Sequence, residues 1–568
     1  MQDAVSESST QQRLPAQGDP LAALELPALT LDNLSCECHH ERQLTSWLEN
    51  TQLHPYCPAD QPRLVGMLQG MIEELAHWNA PASRRLPMLE LLREYALACV
   101  DALALQRATL ARAQTAELRK AVHLALQLLQ QLAAAYAGVA AQSSREAGLG
   151  VLVRRRTALA LQRGIDSLRR QVRITALFGL APEAHCWRDM QLLLQFARLQ
   201  RLDAKKVPDA LHPQRRDSAA GAYLQAALFT SANPAQFDSG QQEQLWSHTG
   251  HWAKAATIAD RYTEMADGLL ASLALDQPPV PGNRLGSCKV DLRHFSAPRG
   301  WKVELGGVLA VLEKLRQRSD DVLLQAVQRV WGARGGRAVR RSPVEQQCDI
   351  AIGIGAISFH LGGARTQLPD GFISGSSMHG DHLCLDVDSV DFASGRTVNE
   401  YDVRLPDAPS LKRDKRDAPR PDRRYALERV NVLNSSAHGA GLSLPPAIGE
   451  RLRVGELVAI RLREHWRVAV VRWEFALPDH CRAGVEVLAA DALPVQVQRH
   501  TSAGQLSAPL AALWLQEEGA DSNRSLILPV PLFKCYDTVE LLSGSQTYPV
   551  TLQRQLLATG SFARFEFV

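Results

Sequence analysis

The spacing of apolar residues changes along this chain, and the change limits what the chain can fold into. From residue 44 to residue 275 apolar side chains recur at i, i+3, i+4 and i+7, as they do along Leu89–Val100, which is the spacing of one helix face. After about residue 425 the apolar runs are short and alternate, as in Val458–Leu462, which is typical of half-buried strands. The chain is therefore predicted to be a multidomain α+β protein, helical first and β-rich last.

Two proline-rich breaks divide the chain, whose 568 residues far exceed the usual size of one domain. Neither Gln277–Gly282 nor the charge-mixed run 406–424 can continue a helix or form a packed element. Between them, an expected helix at Leu305–Val330 and an apolar run at Cys348–Leu361, expected to be a buried strand, predict mixed structure. The predicted divisions are a disordered tail 1–43, a helical domain 44–276, an α+β domain 284–405, a basic linker 406–424, an antiparallel β-barrel 425–497 and a β extension 505–568.

Membrane insertion and secretion are both disfavoured by the sequence. The stretch Ala121–Ser144 carries no formal charge and is long enough to span a bilayer. It is rich in alanine and interrupted by His123, Gln127, Gln130 and Gln131, so a buried helix is expected instead. The N-terminus lacks a secretory signal, and the ten cysteines are too dispersed for a disulfide framework. A cytoplasmic location without stable membrane insertion is predicted.

The positive charge of the chain is concentrated in one short run. With 63 basic and 60 acidic residues the net charge is +3, which is too small for a surface that tracks nucleic acid. Between Leu411 and Val430, however, there are eight basic residues and only four acidic ones. This run holds two R-x-x-x-R spacings, Arg416–Arg420 and Arg420–Arg424. Because the arginine fork fits both phosphate and the guanine edge, the run indicates either a local anion site or a solvated linker.

A polar motif follows ten residues after Arg424. The run NSSAHG at 434–439 matches the (D/N)-x-S-x-x-G motif of PilZ domains, in which an R-x-x-x-R loop lies upstream. The runs 441–444, 454–458, 469–473 and 483–488 continue in the order of PilZ strands. The region from about 416 to 495 therefore resembles a PilZ domain.

The resemblance implies a small β-barrel that binds cyclic di-GMP, a dianionic dinucleotide with two guanines. It implies that the arginines clamp guanine edges and phosphates, that Asn and Ser hydrogen-bond a base, and that Gly permits close approach. The ligand-binding residues so implied are Arg416, Arg420, Arg424, Asn434, Ser436 and Gly439. Only nine residues separate Arg424 from Asn434, fewer than is usual in such domains. A degenerate PilZ scaffold that binds no nucleotide is therefore the alternative.

An enzymatic alternative rests on His379, Asp381 and His382. Their H-x-D-H spacing resembles half of the metal motif of metallo-β-lactamase-like hydrolases, but Ser377 occupies the position of the first histidine. A catalytic zinc needs three protein ligands, so a metal-dependent hydrolase is disfavoured. The run CECHH at 36–40 likewise lacks the spacing of a zinc knuckle. No catalytic residue, metal or cofactor is predicted, and cyclic di-GMP is the expected ligand.

The combined prediction is a non-catalytic bacterial signalling protein. Cyclic di-GMP is expected to order the segment 412–424 against the barrel and so to rearrange the domains on either side of it. The helical region is expected to dock an unidentified protein partner, and no nucleic-acid partner is expected.

Overall fold

A computed structural model describes most of the chain. The described residues are 20–57, 59–109, 116–146, 150–180, 182–211, 214, 216–260, 268–282, 295, 299–317, 322–331, 342–362, 425, 427–436, 438–449, 451–462, 465–476, 480–489, 491–499, 506–516, 524–543 and 546–568. They form helices and strands that we number in chain order.

The helices are α1 (Glu41–Asn50), α2 (Gln61–His77), α3 (Ala82–Thr109), α4 (Ala116–Arg145), α5 (Val151–Leu177), α6 (Cys186–Leu199), α7 (Ala219–Ser231), α8 (Ser239–Trp252), α9 (Gly306–Arg316), α10 (Val322–Trp331), α11 (Ile354–Leu361) and α12 (Pro446–Gly449). The strands are β1 (Val207–Pro208), β2 (Arg216–Asp217), β3 (Thr257–Ala259), β4 (Leu269–Ser272), β5 (Val280–Pro281), β6 (Gly300–Glu304), β7 (Ser342–Ile352), β8 (Glu428–Ser436), β9 (Gly439–Leu444), β10 (Leu457–Leu462), β11 (His465–Ala476), β12 (Cys481–Ala489), β13 (Asp491–Arg499), β14 (Leu510–Gln516), β15 (Ser525–Pro529), β16 (Thr538–Ser543), β17 (Gln546–Ala558) and β18 (Phe562–Phe567).

The N-terminal region is a helical domain built around α4 and α5, as the sequence predicted. The close approach around α5 depends on Gly164, where a Cβ would lie 3.1 Å from Leu193 Cδ1 and 3.6 Å from the Ala133 carbonyl. One helix of the described chain is apolar and long enough to cross a membrane, over Leu118–Arg145, and 67% of its apolar window is buried inside the protein. This agrees with the expectation of a buried helix.

Residues 20–43 differ from the expected disordered tail. Leu21 and Leu34 are buried, the Trp78 indole donates a hydrogen bond to the Asp32 carbonyl (3.1 Å), and Asn79 N donates to the Leu31 carbonyl (2.7 Å). The expectation followed the polar composition of residues 1–19, whereas residues 20–43 contain six leucines, and the buried ones pack on a helical surface that other segments supply.

A small antiparallel sheet follows the eight helices, with the strand order β3-β6-β4-β5. The predicted helix over Leu305–Val330 is two helices, α9 and α10, in the described residues.

The first of two closed barrels has the strand order β10-β11-β12-β9-β8-β7. Its interior is filled by aliphatic side chains such as Ile350, Val432, Leu442, Ile460 and Val485. The alternation that predicted half-buried strands thus places one face of each strand in this core.

The strand β7 corrects two expectations. It lies within the range 284–405 assigned to a separate α+β domain, yet it pairs with β8 and with β10 and closes the barrel. The apolar run Cys348–Leu361 is also not one strand, because β7 ends at Ile352 and α11 begins at Ile354. Between them Gly353 has φ +85°, which is a conformation that favours glycine. Closure leaves neither β8 nor β10 with an exposed edge.

The predicted β extension is a second closed barrel, with the strand order β13-β14-β15-β18-β17-β16. It begins with β13, ahead of the expected start at residue 505. An apolar cluster joins the outer faces of the two barrels, and α11 contributes Ile357 to it beside Leu457, Leu513 and Phe562.

Candidate functional site

The residues of the polar motif lie on the hairpin that joins β8 to β9. Ser436 pairs in register with Gly439, and the Ser436 hydroxyl donates a hydrogen bond to the Gly439 carbonyl (3.3 Å). The His438 carbonyl accepts from Val487 N of β12 (3.0 Å). The structure thus brings Asn434, Ser436 and Gly439 together at one end of the barrel.

Asn434 lies on the outer surface of the barrel. The register of β8 against β9 shifts between Val432 and Asn434. Because Ala440 and Leu442 point into the core, the intervening Gly441 faces outward. A Cβ on Gly441 would lie 3.0 Å from both the Nδ2 and the Oδ1 atoms of Asn434. The Asn434 carboxamide therefore covers this glycine.

A second glycine with a covering side chain lies on the neighbouring strand. Gly441 pairs with Gly484 of β12, and Gly484 pairs with Trp473 of β11. A Cβ on Gly484 would lie 2.1 Å from Trp473 Nε1, so the indole lies over this glycine. We call the paired glycines and their two covering side chains the glycine floor: Asn434, Gly441, Gly484 and Trp473. Adjacent strands are about 4.8 Å apart, so the carboxamide and the indole cover neighbouring positions on one face of the barrel.

Aromatic and charged side chains extend this surface. Phe475 is 39% exposed, and its ring centroid lies 6.1 Å from that of Trp473. Arg482 is exposed and stands in register between Phe475 and Ser443. The face therefore combines aromatic surface, a carboxamide and a cation, which are groups that suit a nucleotide.

Trp473, Gly484 and Arg482 are site residues that the sequence analysis did not single out. The signal that was present is a pair of glycines inside two strands, because a glycine there often marks close approach of a ligand or another group. Sequence alone could not show that the two glycines are paired.

The arginines of the basic run, Arg416, Arg420 and Arg424, lie outside the described residues. The described chain resumes at Tyr425, whose ring stacks on Phe359 of α11 with centroids 4.7 Å apart. The Tyr425 carbonyl is 2.7 Å from His360 Nε2, which donates to it. The C-terminal end of the basic run is thus attached to α11.

The thiols inside the first barrel are unsuited to nucleophilic chemistry. Burial, and to a smaller extent the negative charge of Asp349, raise the pKa of Cys348 to about 12. Burial, and to a smaller extent the negative charge of Glu474, raise the pKa of Cys481 to about 11. A neutral thiol is a poor nucleophile. Within the described ranges no group of three or more His, Cys, Asp or Glu side chains could hold a metal ion, while His379, Asp381 and His382 lie outside those ranges.

Comparison with known proteins gives three family matches in chain order. Residues 42–262 match the N-terminal domain of the cyclic-di-GMP receptor FimW, residues 310–494 its middle PilZ domain, and residues 495–568 its C-terminal β-barrel domain. The chain is also 25% identical to the cyclic-di-GMP receptor FimW of Pseudomonas aeruginosa, over 96% of this chain and 93% of that protein. No solved structure matches the chain significantly.

Proposed function

The chain belongs to the FimW family of PilZ-domain proteins, and we propose that it binds cyclic di-GMP on the outer face of its first barrel without catalysing a reaction. The observation that carries this proposal is the glycine floor, where two paired glycines lie between a carboxamide and an indole. The family relation supplies the ligand class, and the floor supplies a surface on which such a ligand fits.

Each group around the floor has a part in this proposal. The Asn434 carboxamide offers both a donor and an acceptor to a base edge, and the Ser436 hydroxyl can do the same. The indole of Trp473 offers a stacking surface, which is worth about 1–3 kcal/mol per base in nucleic-acid complexes. Gly441 carries no side chain, which lets the Asn434 carboxamide lie close to the strand.

Chain length favours one of the two arginine pairs. Tyr425 is attached at α11, where β8 begins, whereas Asn434 lies six residues along β8 from Glu428. Six strand residues span about 20 Å. Arg424 is one residue from Tyr425, so extended backbone and side chain together reach only about 10 Å.

Arg420 lies four residues further from Tyr425, which extends its reach to about 24 Å, and Arg416 reaches further still. We therefore infer that Arg416 and Arg420, rather than Arg424, form the clamp over the floor. This assignment requires the attachment of Tyr425 to persist when ligand binds.

The attachment also suggests how binding is transmitted. Ligand that draws Arg416 and Arg420 onto the floor pulls on the segment that ends at Tyr425. Because Tyr425 contacts Phe359 and His360 of α11, and α11 packs between the two barrels, the pull acts on the interface between the barrels. Ligand can shift the equilibrium between two arrangements of the barrels only by the difference between its affinities for them. We also propose that the helical region binds a protein partner and that the protein is cytoplasmic.

Calorimetric titration of the full chain with cyclic di-GMP tests this function. Saturable binding is expected, weakened at least tenfold in Arg420→Ala and in Ser436→Ala, because each removes a charge-assisted or buried polar contact. Arg429→Ala is the matched control, since Arg429 belongs to the same basic run but is exposed near Asp349 (3.7 Å). Absence of any binding by the unmodified chain would leave the degenerate scaffold as the better interpretation.

A further inference from the structure

A basic surface with exposed aliphatic side chains lies on the helical domain, far along the chain from the PilZ motif. It is formed by the start of α5 and by the end of α6 with the turn that follows. We call it the basic tip and define it by Val151, Leu152, Arg155, Leu199, Lys205 and Lys206.

Two observations show that the parts of the basic tip are adjacent. Nη2 of Arg154 in α5 donates to the carbonyl of Gln200, next to Leu199 (3.4 Å). Lys205 N donates to the carbonyl of Leu202, just after α6 (3.1 Å), and burial with the charges of Arg154 and Arg155 lowers the pKa of Lys205. The surface therefore joins two helix ends rather than two remote sites.

The cations of the basic tip have no ion-pair partner among the described residues. In the described part of the chain no ion pair involves Arg155, Lys205 or Lys206. Their basic neighbours differ, because Arg156 pairs with Glu146 and Arg198 pairs with Asp260. The first turn of α5 also contains no acidic residue, so the positive end of the helix dipole adds to the same field.

The aliphatic side chains of the basic tip project into solvent. Val151 is 65% exposed, Leu152 75% and Leu199 64%. Exposed aliphatic side chains and unpaired cations thus lie on one surface. The pairing is common on surfaces that bind an anionic, partly apolar partner.

We propose that the basic tip binds the surface of an anionic lipid membrane, with the cations at the headgroups and the aliphatic side chains inserted just below them. A protein partner fits less well, because protein interfaces are enriched in aromatic residues and depleted in lysine. The basic tip contains two lysines and no aromatic residue. Clusters of basic residues beside apolar ones are typical of binding to acidic lipids.

Vesicle binding by the full chain tests the proposal. Vesicles of phosphatidylcholine with about 40 mol% phosphatidylglycerol, whose headgroups give the surface a negative potential, are compared with pure phosphatidylcholine vesicles in a flotation assay. We expect partitioning to the anionic vesicles that weakens as salt is raised. Each cation near such a surface contributes about fivefold in partitioning, so the triple variant Arg155→Glu, Lys205→Glu, Lys206→Glu is expected to lose at least about 100-fold.

The apolar contribution has its own variant. Leu152→Ser is expected to weaken partitioning about tenfold, since it removes one aliphatic side chain that the proposal places inside the membrane. Because Leu152 is exposed, the fold should be unaffected, and thermal unfolding together with the calorimetric titration of cyclic di-GMP checks this. The matched charge control is the triple variant Arg42→Glu, Arg63→Glu, Lys534→Glu, whose three basic residues are exposed and outside the basic tip.

Three results would overturn the proposal. The first is equal binding to neutral and anionic vesicles. The second is an equal loss in the charge control, which would make the attraction a property of the whole surface. The third is retention on immobilised polyglutamate without vesicle binding, which would assign the basic tip to an acidic protein.

Discussion

Replacing Gly484 by alanine tests whether the Trp473 indole belongs to the ligand site. The new methyl group would occupy a point 2.1 Å from Trp473 Nε1, well inside any contact distance. The indole is only partly buried, so it can turn away from the strand. The barrel itself should tolerate the change, because alanine is favoured over glycine inside a strand by roughly 0.5–1 kcal/mol.

The expected magnitude follows from the stacking that would be lost. If the displaced indole no longer supports a guanine, about 1–3 kcal/mol of stacking disappears. The dissociation constant of cyclic di-GMP then rises by a factor of about 5 to 150. The free energy of unfolding, measured by urea titration, should change by less than about 1 kcal/mol.

A double-mutant cycle decides whether the loss acts through the indole. In a Trp473→Ala background the three atoms nearest to the methyl group of Gly484→Ala are gone, so the second substitution should leave the calorimetric affinity unchanged within about twofold. If Gly484→Ala weakened binding equally with and without the indole, the glycine would act through the backbone and the stacking argument would be refuted.

Three further predictions concern the helical domain. Asp166→Asn should lower the free energy of unfolding by about 3–5 kcal/mol, because buried Asp166 accepts from Arg93 (3.0 Å) and Arg170 (3.1 Å) and pairs with Arg169; a loss under about 1 kcal/mol in urea titration would contradict this. Burial raises the pKa of Asp189 from 3.8 to about 6, so the folded state binds a proton more tightly than the unfolded state, and stability should increase by about 2 kcal/mol as pH falls from 7 to 4.5. Asp189→Asn should abolish this pH dependence, and an unchanged profile in urea titrations at several pH values would assign it to other groups. Gly66→Ala should stabilise the protein by about 0.5–1 kcal/mol, because Gly66 lies inside α2 with nothing within 4 Å of an added Cβ; a lower melting temperature would be the contrary result.

The pH dependence of the Asp166 network has the opposite sign. Although burial opposes ionisation, the charges of Arg169, Arg170 and Arg93 hold the pKa of Asp166 well below its usual range. A carboxyl with a lowered pKa stabilises the fold above its unfolded pKa and loses that contribution as pH falls further. Asp166 therefore contributes fully at neutral pH, and its loss belongs to acid unfolding below about pH 4.

The motif residues and the missed residues show where local sequence information ends. Asn434, Ser436 and Gly439 lie within six residues of each other, so the sequence alone showed that they are neighbours. Trp473 and Gly484 join them only through the pairing of four strands. Registers of this kind depend on contacts between distant residues, which a local pattern does not contain.

The strand β7 and the helix α11 show the same limit at the level of the fold. The run that contains both is apolar throughout, and its period does not distinguish a buried strand from a buried helix. The positive φ of Gly353 divides it into a barrel strand and a helix. In the folded barrel, α11 is the helix to which Tyr425 is attached.

From its sequence alone, this chain could be assigned a helical first part, a β-rich last part, a concentrated basic run and a polar hairpin motif of the PilZ type, because each depends on neighbouring residues. Tertiary structure alone decided that a strand from before the basic run closes the PilZ barrel, that two glycines and an indole complete the face beside Asn434, and that Tyr425 is held by α11. The physical reason is that strand pairing and side-chain packing join residues far apart in the chain, and their geometry exists only once the chain has folded.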